Sequence, residues 1–242
     1  MSAIDRSSIV ARVVIEHPAC ARVLTEYDID FCCHGDVALD EACAARRLDI
    51  EEVLARMREA ATSSPANDSG SASGLSTPEL VAHLVTRHHA YLRRALPAIE
   101  VLVAKVARVH GAHNPKLTAL LEEVRGLRSE LEPHLDDEEG DLFPLLMSRG
   151  GDARLIARKL AEARTEHERV GRSLARIRQL SDSFSVPEWA CGSYRSMMSE
   201  LADLEEDTLR HVHLENHVLM PRFAPRVDGS IGGRTRARSV TT

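Results

Sequence analysis

The sequence of 242 residues predicts an all-α protein, in which an antiparallel four-helix bundle follows a small helical module. Between 79 and 223, apolar residues recur at steps of three and four in four long segments, which is typical of helices that bury one face. A stretch rich in Ser, Gly, Ala and Pro at 62–78 predicts a flexible linker after a shorter helical pattern at 1–61. The tail at 224–242 has no period, which predicts disorder.

Composition and charge argue against several classes of function. The net charge of -6 disfavours nonspecific nucleic-acid binding, and no window approaches 18 uncharged apolar residues, so no membrane span is expected. The first residues mix acidic and basic side chains, which is not typical of a signal peptide. The five cysteines are odd in number and irregularly spaced, which does not indicate a set of structural disulfides. A cytoplasmic location is therefore expected. Twelve histidines beside only 3% aromatic residues indicate that the chain uses imidazole.

The N-terminal module is interrupted at Pro18 and again at the segment 31–35, which reads FCCHG. Apolar residues on both sides of Pro18 are typical of a small helical module, and the segment 49–60 predicts its last helix. Cys32 and Cys33 leave two interpretations open. They are either sulfurs that accept a metal or another thiol, or two small apolar residues that close a turn. Adjacent cysteines seldom form a mutual disulfide without strain.

Each apolar stripe of the bundle contains one histidine where an aliphatic residue is expected. The four are His89, His134, His167 and His211. In an up-and-down bundle, residues at equal height on successive helices lie equally far from the turn between them. The midpoints of successive histidine pairs fall on or beside the turn-like sequences HGAHNP, GG and SVP. The four imidazoles are therefore expected in one layer.

Two segments, 134–144 and 211–221, share the pattern His-x-x-x-Glu followed by Leu, a bulky apolar residue and Pro. Residues four apart lie on one face of a helix, so each copy points an imidazole and a carboxylate the same way. The helix is expected to stop at the proline, which cannot continue it. Glu138 and Glu215 thereby join the histidine layer. Four nitrogens and two carboxylates are the ligand set of a di-metal site in a helix bundle.

The metal ligands predicted in this way are His89, His134, Glu138, His167, His211 and Glu215. A bridging carboxylate from each glutamate would complete two adjacent metals and leave about one open position on each. Imidazole and carboxylate suit iron, and the absence of thiolate from the bundle stripes lowers the case for structural zinc. The competing interpretation is four hydrogen-bonded core histidines. It is disfavoured because unpaired buried charge costs on the order of several kcal/mol.

Other polar residues near the pattern are expected to support these ligands or to lie on the surface. The histidines in this group are His17, His83, His88, His113, His213 and His217. Glu166 and Glu168 flank His167 and could orient its ring or lie in solvent, and the surface is the favoured interpretation. Pro133 lies in the second helical pattern and should kink that helix, because proline removes a backbone hydrogen bond.

Taken together, these motifs resemble the iron-sulfur cluster repair di-iron proteins of the RIC or YtfE/ScdA type. The FCCHG segment, the linker and the two His-x-x-x-Glu motifs follow one another in that family's order, from Ser8 to Phe223. The C-terminal half of such proteins is a hemerythrin-like domain. Cys32 and Cys33 match the family's paired-cysteine motif, and His34 stands where a glycine is usual in the family.

The resemblance implies that the six predicted ligands hold two iron ions in a non-haem centre with an oxo or hydroxo bridge. It implies repair of iron-sulfur clusters damaged by nitrosative or oxidative stress, through iron donation or through reduction of nitric oxide to nitrous oxide. The implied partners are damaged iron-sulfur proteins, with nitric oxide or oxygen as a small ligand. Cys32 and Cys33 are the candidate catalytic thiols.

Two other classes of function compete with repair. One is a hemerythrin-like carrier or sensor of oxygen or nitric oxide without turnover, and the other is iron storage or ferroxidase chemistry. The paired-cysteine module favours repair, since a simple oxygen carrier has no use for it. The sequence leaves open whether the chain forms a homodimer through this module.

Overall fold

The computed structural model describes residues 3–63, 72–148 and 150–223. Within these ranges the chain is helical and contains no β-strand, which confirms the predicted all-α class. Residues 64–71 of the predicted linker and the whole predicted tail at 224–242 lie outside the described residues. No helix in the described ranges is long and apolar enough to cross a membrane.

Four helices form the N-terminal module: α1 (Val10–Glu16), α2 (Cys20–Glu26), α3 (Leu39–Arg46) and α4 (Ile50–Ser63). Pro18 lies between α1 and α2, where its missing N–H breaks no helical hydrogen bond. The segment that contains the paired cysteines joins α2 to α3. The sequence pattern did not predict α3, because Leu39 and Cys43 are its only buried residues and two apolar positions make no stripe.

Four helical rods form the bundle, and three of them contain a π-helical turn. The first rod comprises α5 (Thr77–His83), π1 (Leu84–His89) and α6 (Ala90–His110). The second comprises α7 (Lys116–Asp137), π2 (Glu138–Leu142) and α8 (Phe143–Met147). The third is α9 (Ala153–Leu180). The fourth comprises α10 (Gly192–Leu214), π3 (Glu215–Leu219) and a 3₁₀ turn (Met220–Phe223). The helix α6 packs on α7 and α10, and α9 packs on the same two helices.

Local sequence explains where two of the rods begin. The Glu79 carboxylate accepts hydrogen bonds from the backbone N–H and the hydroxyl of Ser76, at 2.8 and 2.6 Å. The Ser76 side chain in turn accepts the backbone N–H of Glu79, which completes a capping box, and Pro78 occupies the first turn of α5. Asp152 caps α9 by accepting the backbone N–H of Arg154 at 2.8 Å.

The module and the bundle each have an apolar core. In the bundle, fully buried aliphatic side chains fill the end away from the histidine layer; among them are Leu96, Ile99, Val103, Val124, Leu127 and Met197. In the module, the core includes Val10, Leu24, Leu39, Leu54 and Met57. Val212 of α10 packs within the core of the module, so the two parts share apolar contacts.

Proline does not end the second rod as predicted. π2 ends at Leu142 and α8 begins at Phe143, so the helical path continues through Pro144. The prediction that this helix stops at Pro144 is wrong because the residue falls in the first turn of α8, where a backbone N–H needs no helical partner. Pro133 lies inside α7, which runs without interruption from Lys116 to Asp137.

Candidate metal centre

Six buried polar side chains meet in one layer of the bundle, and they are the six that the sequence singled out. They are His89, His134, Glu138, His167, His211 and Glu215, each at most 5% exposed. The π turns lie at this layer: π1 ends at His89, π2 begins at Glu138 and π3 begins at Glu215. The other three histidines lie on α7, α9 and α10, so every rod of the bundle contributes.

The four imidazoles form two pairs. The Nε2 atoms of His89 and His211 lie 3.0 Å apart, with the rings nearly perpendicular. The Nε2 atoms of His134 and His167 lie 3.2 Å apart in the same edge-on arrangement. Every imidazole therefore directs Nε2 toward the interior of the layer.

Each glutamate carboxylate spans both histidine pairs. Glu138 places Oε2 3.5 Å from His89 Nε2 and Oε1 3.4 Å from His134 Nε2. Glu215 places Oε1 3.1 Å from His211 Nε2 and Oε2 3.1 Å from His167 Nε2. The ligand atoms thus form two groups, each with two histidines and one oxygen from each glutamate, and within each group all of these atoms lie within 4.8 Å of one another.

One of the four carboxylate oxygens, Glu215 Oε1, has a hydrogen-bond contact, which it makes with His211 Nε2 at 3.1 Å. Among the described residues, Glu138 Oε1 and Oε2 and Glu215 Oε2 are buried atoms without a hydrogen-bond partner of acceptable geometry. A buried unpaired carboxylate is costly, and coordination to a cation removes that cost. The nitrogen and oxygen donor set, the buried position and these free oxygens all fit divalent transition metals.

The Glu215 carboxylate remains ionised although it is fully buried. Burial raises the pKa of Glu215, but attraction to the His211 and His167 imidazoles outweighs it and holds this pKa well below its usual value. Burial lowers the pKa of His167, but attraction to the Glu215 and Glu138 carboxylates holds it well above its usual value. The pKa of His89 is lowered, chiefly by burial. A bound cation would therefore replace the imidazole protons that balance the carboxylate charge in this layer.

Three imidazoles are oriented by a partner on their outer nitrogen. His89 Nδ1 lies 2.9 Å from Glu139 Oε1, and His134 Nδ1 lies 2.8 Å from Glu166 Oε2. His167 Nδ1 lies 2.9 Å from the side-chain oxygen of Asn216. Because these oxygens accept, each Nδ1 donates a proton, so Nε2 is the nitrogen that would bind a cation once it has lost its own proton.

The prediction that Glu166 lies at the surface is wrong. Its side chain is half-buried because it reaches across from α9 to His134 on α7 instead of orienting the adjacent His167. Asn216 was missed for a similar reason, since its oxygen meets a histidine on another rod. His88 is also buried and donates through Nδ1 to Asp207 at 3.0 Å, while its ring stacks on that of His211.

The paired cysteines lie against the same end of the bundle. The Asn216 side-chain amide donates to the backbone carbonyl of Cys32 at 2.9 Å, so one asparagine connects His167 with this loop. His213, which the sequence assigned to support or surface, is buried and donates through Nδ1 to the Phe31 carbonyl at 3.0 Å.

A small cavity reaches the layer from the side. Its volume is about 40 Å³, and it touches Glu138 and His134 at its inner end and Lys159, Glu162 and Glu166 at its outer end. A space of this size admits a water molecule or a diatomic ligand but not an organic substrate. The arrangement therefore suits chemistry on a small molecule or the passage of an ion.

Two domain families match this chain. Residues 80–223 match the hemerythrin HHE cation binding domain, which is therefore the identity of the bundle. Residues 6–61 match ScdA_N, described as a domain of unknown function (DUF542).

Curated relatives carry both parts in the same order. The iron-sulfur cluster repair protein ScdA of Staphylococcus haemolyticus is 32% identical, over 91% of this chain and 100% of that protein. The iron-sulfur cluster repair protein YtfE of Edwardsiella ictaluri is 32% identical, over 88% of this chain and 95% of that protein. The probable iron-sulfur cluster repair protein of Haemophilus influenzae is 28% identical over the same shares. This chain belongs to the ScdA/YtfE family of iron-sulfur cluster repair proteins with a hemerythrin HHE domain.

Proposed function

We propose that this chain repairs damaged iron-sulfur clusters through a di-iron centre in the bundle. The observation that carries the proposal is the sharing of both glutamates between two ligand groups, one built on His89 and His211 and the other on His134 and His167. The names of the curated relatives support repair as the role. The five free thiols among the described residues support a reducing compartment, and we assign the chain to the cytoplasm on that ground.

The six predicted ligands would hold two iron ions, with Glu138 and Glu215 as bridges. Two histidine nitrogens and two carboxylate oxygens per iron leave positions for a bridging oxygen and a small ligand. When bound, two adjacent irons would supply one-electron redox chemistry and open coordination positions. The carboxylates would offset the cation charge, while Glu139, Glu166 and Asn216 hold the imidazole rings in place.

Packing around the layer limits access of water. Phe143 lies against the His89 ring with 5.6 Å between centroids, and Leu142 and Leu146 are buried beside it. The cavity beside Glu138 is the small opening on this side. A centre enclosed in this way favours a diatomic ligand such as nitric oxide or oxygen.

Metal analysis of the full chain, purified under low oxygen, tests the centre. We expect about two irons per chain and the absorption of a bridged ferric pair after oxidation. Glu138→Ala should lose both, whereas Glu122→Ala, an exposed position on α7, should keep both. Full iron in the Glu138 variant would refute the ligand assignment.

A reactivation assay tests the repair role separately. An iron-sulfur hydratase damaged by nitric oxide or peroxide is mixed with the iron-loaded chain, and its recovered activity is measured. We expect recovery with the natural chain and none with Cys32→Ser/Cys33→Ser, whose centre should keep its spectrum. Equal recovery with that variant would show that repair does not require the cysteines.

Addition of nitric oxide to the reduced protein, with nitrous oxide assayed, separates the possible modes of action. Repeated formation of nitrous oxide indicates catalytic removal of nitric oxide. A stable nitrosyl without gas, together with no reactivation of the hydratase, indicates a sensor and would refute repair.

A further inference from the structure

The loop between α2 and α3 contains a second group of metal-ligand atoms, separate from the histidine layer. Cys32 Sγ lies 3.5 Å from Cys33 Sγ and 3.4 Å from Asp30 Oδ1. The two sulfurs and one carboxylate oxygen all lie within 4.8 Å of one another. Two sulfurs that bind one tetrahedral metal at about 2.3 Å lie about 3.8 Å apart, close to the separation found here.

Backbone contacts hold this group in its arrangement. Asp30 Oδ1 accepts the backbone N–H groups of Cys32 and Cys33 at 3.0 and 2.8 Å, and Oδ2 accepts the His34 Nδ1–H at 2.7 Å. The loop also needs glycine at 35, because a Cβ there would lie 2.6 Å from the carbonyl oxygen of Phe31. The ligand atoms are therefore preorganised by the loop.

The two cysteines differ in how deeply they are buried. Cys32 is buried in the apolar core of the module, as a structural thiol would be. Cys33 is only half-buried and faces Gly171 of α9, where a Cβ would come within 3.9 Å of the sulfur. Both cysteines are among the residues that line a cavity of about 240 Å³ between the loop and α9. An incoming ion has room to reach them, which a purely apolar turn would not require.

We propose that Asp30, Cys32 and Cys33 form a second, exchangeable site for a divalent transition metal that accepts thiolate ligands. Two thiolates and a carboxylate supply the negative charge that such a cation needs, and sulfur favours ions of the Fe²⁺ and Zn²⁺ class over Mg²⁺ or Ca²⁺. Three protein ligands leave a fourth position open toward the cavity, so the ion can leave by exchange with an outside ligand. The proposal goes beyond the repair function, because the site requires neither a cluster client nor the di-iron centre.

Titration with Co²⁺ as a probe tests this site in the full-length, reduced chain whose bundle is already loaded with iron. We expect about one Co²⁺ per chain, with the sulfur-to-cobalt absorption of a thiolate site. The histidine layer has no sulfur and cannot produce that absorption. Zn²⁺ should remove the absorption by competition, and Mg²⁺ should not.

Three variants assign the absorption. Cys33→Ser should abolish it, and Asp30→Asn, which keeps an oxygen for the loop hydrogen bonds, should weaken Co²⁺ binding at least about tenfold. Cys191→Ser removes an exposed thiol near His110 at the far end of the bundle and should change nothing. These substitutions spare the buried Cys32, and unchanged helicity and iron content verify the fold. No sulfur absorption in the natural chain, or its survival in Cys33→Ser, would overturn the proposal.

Discussion

Each of the two glutamates in the layer faces both histidine pairs, whereas each histidine belongs to one pair only. Glu138 presents one oxygen to His89 and the other to His134, and Glu215 does the same for His211 and His167. Each histidine contributes to a single ligand group, whereas each glutamate contributes to both. Loss of a glutamate therefore removes a ligand from both proposed irons.

We accordingly expect Glu138→Ala or Glu215→Ala to lower iron content below one per chain, while His134→Ala keeps about one. The iron-to-protein ratio after dialysis against a weak chelator provides the measurement. The variants are compared at equal helicity, so that unfolding does not count as metal loss. Equal loss in the glutamate and histidine variants would show that the carboxylates do not bridge.

Asn216 provides a second prediction at the scale of a residue. Its oxygen accepts from His167 and its amide donates to Cys32, so Asn216→Ala removes the support of a ligand and of the cysteine loop together. We expect iron affinity to fall by roughly 10- to 100-fold, as for other outer partners of metal-binding histidines. We also expect Cys33 to react faster with a thiol reagent.

A matched control for that variant is Asn114→Ala. Asn114 donates to the Tyr194 hydroxyl at the far end of the bundle and touches neither site. Its loss should change neither iron affinity nor the reactivity of Cys33. Unaltered iron affinity in Asn216→Ala would mean that His167 keeps its orientation without help.

The residues of the layer were predictable from the sequence, but their supports were not. The equal height of the four histidines follows from their distances to the intervening turns, and two of them have a glutamate four residues later on the same helix. The contacts of Glu166 with His134 and of Asn216 with His167 join different rods. Such contacts depend on the rotation of neighbouring helices, which spacing along one helix does not specify.

At the scale of an element, the π turns were the feature that helical periodicity could not predict. The N–H of Phe143 donates to the carbonyl of Glu138, and the N–H of Met220 donates to that of Glu215. Both bonds span five residues instead of four, so each turn holds one residue more than the 3.6-residue period assumes. π turns occur often at functional sites, and both begin at a proposed bridging ligand.

Proline follows both of these turns and helps to explain them. Pro144 comes directly after Phe143, and Pro221 comes directly after Met220. Neither proline has an N–H, so neither can form the i to i-4 bond that would continue a regular α-helix. The sequence pattern marked the right position, but its interpretation as a helix end at Pro144 was wrong. The wider turn accommodates the missing N–H donor, so the helical path continues into α8.

We expect Pro144→Ala combined with Pro221→Ala to shift both turns toward regular α-helix and to turn the glutamates away from their positions. Iron should dissociate faster from this variant, with a smaller loss of content than in Glu138→Ala. Release of iron to a coloured chelator gives the rate. Pro97→Ala serves as the control, because Pro97 lies inside α6 away from the layer. An unchanged release rate would show that the π turns persist without proline.

For the whole molecule, the sequence predicted two parts joined by a linker, and the structure adds direct contacts between them. His213 donates to Phe31, Asn216 donates to Cys32, and Val212 packs in the core of the module. Two of these contacts use backbone carbonyls, which carry no residue-specific signature in a sequence. The docking of the module on the bundle was therefore not predictable from motif spacing.

These contacts determine what we expect of a shortened chain that starts at Ser76. The bundle keeps its own apolar core, the capping pair of Ser76 and Glu79, and all six proposed ligands, so we expect it to fold and to hold about two irons. Removal of the module exposes Val212, whose burial is worth about 1.5 kcal/mol. The iron-free shortened chain should therefore melt about 3 to 6 °C lower than the bundle of the iron-free full-length chain, in which the module covers Val212.

The iron content and melting temperature of the shortened chain test whether the module is part of the metal centre or only packs against it. Asn216 would lose Cys32 as a partner but keep His167, so the ligand layer should remain ordered and the di-iron absorption should persist. Val212→Ser in the shortened chain removes the exposed apolar group and should reduce self-association without changing iron content. A folded shortened chain that binds no iron would show that the module is part of the centre, because its helicity excludes unfolding as the cause.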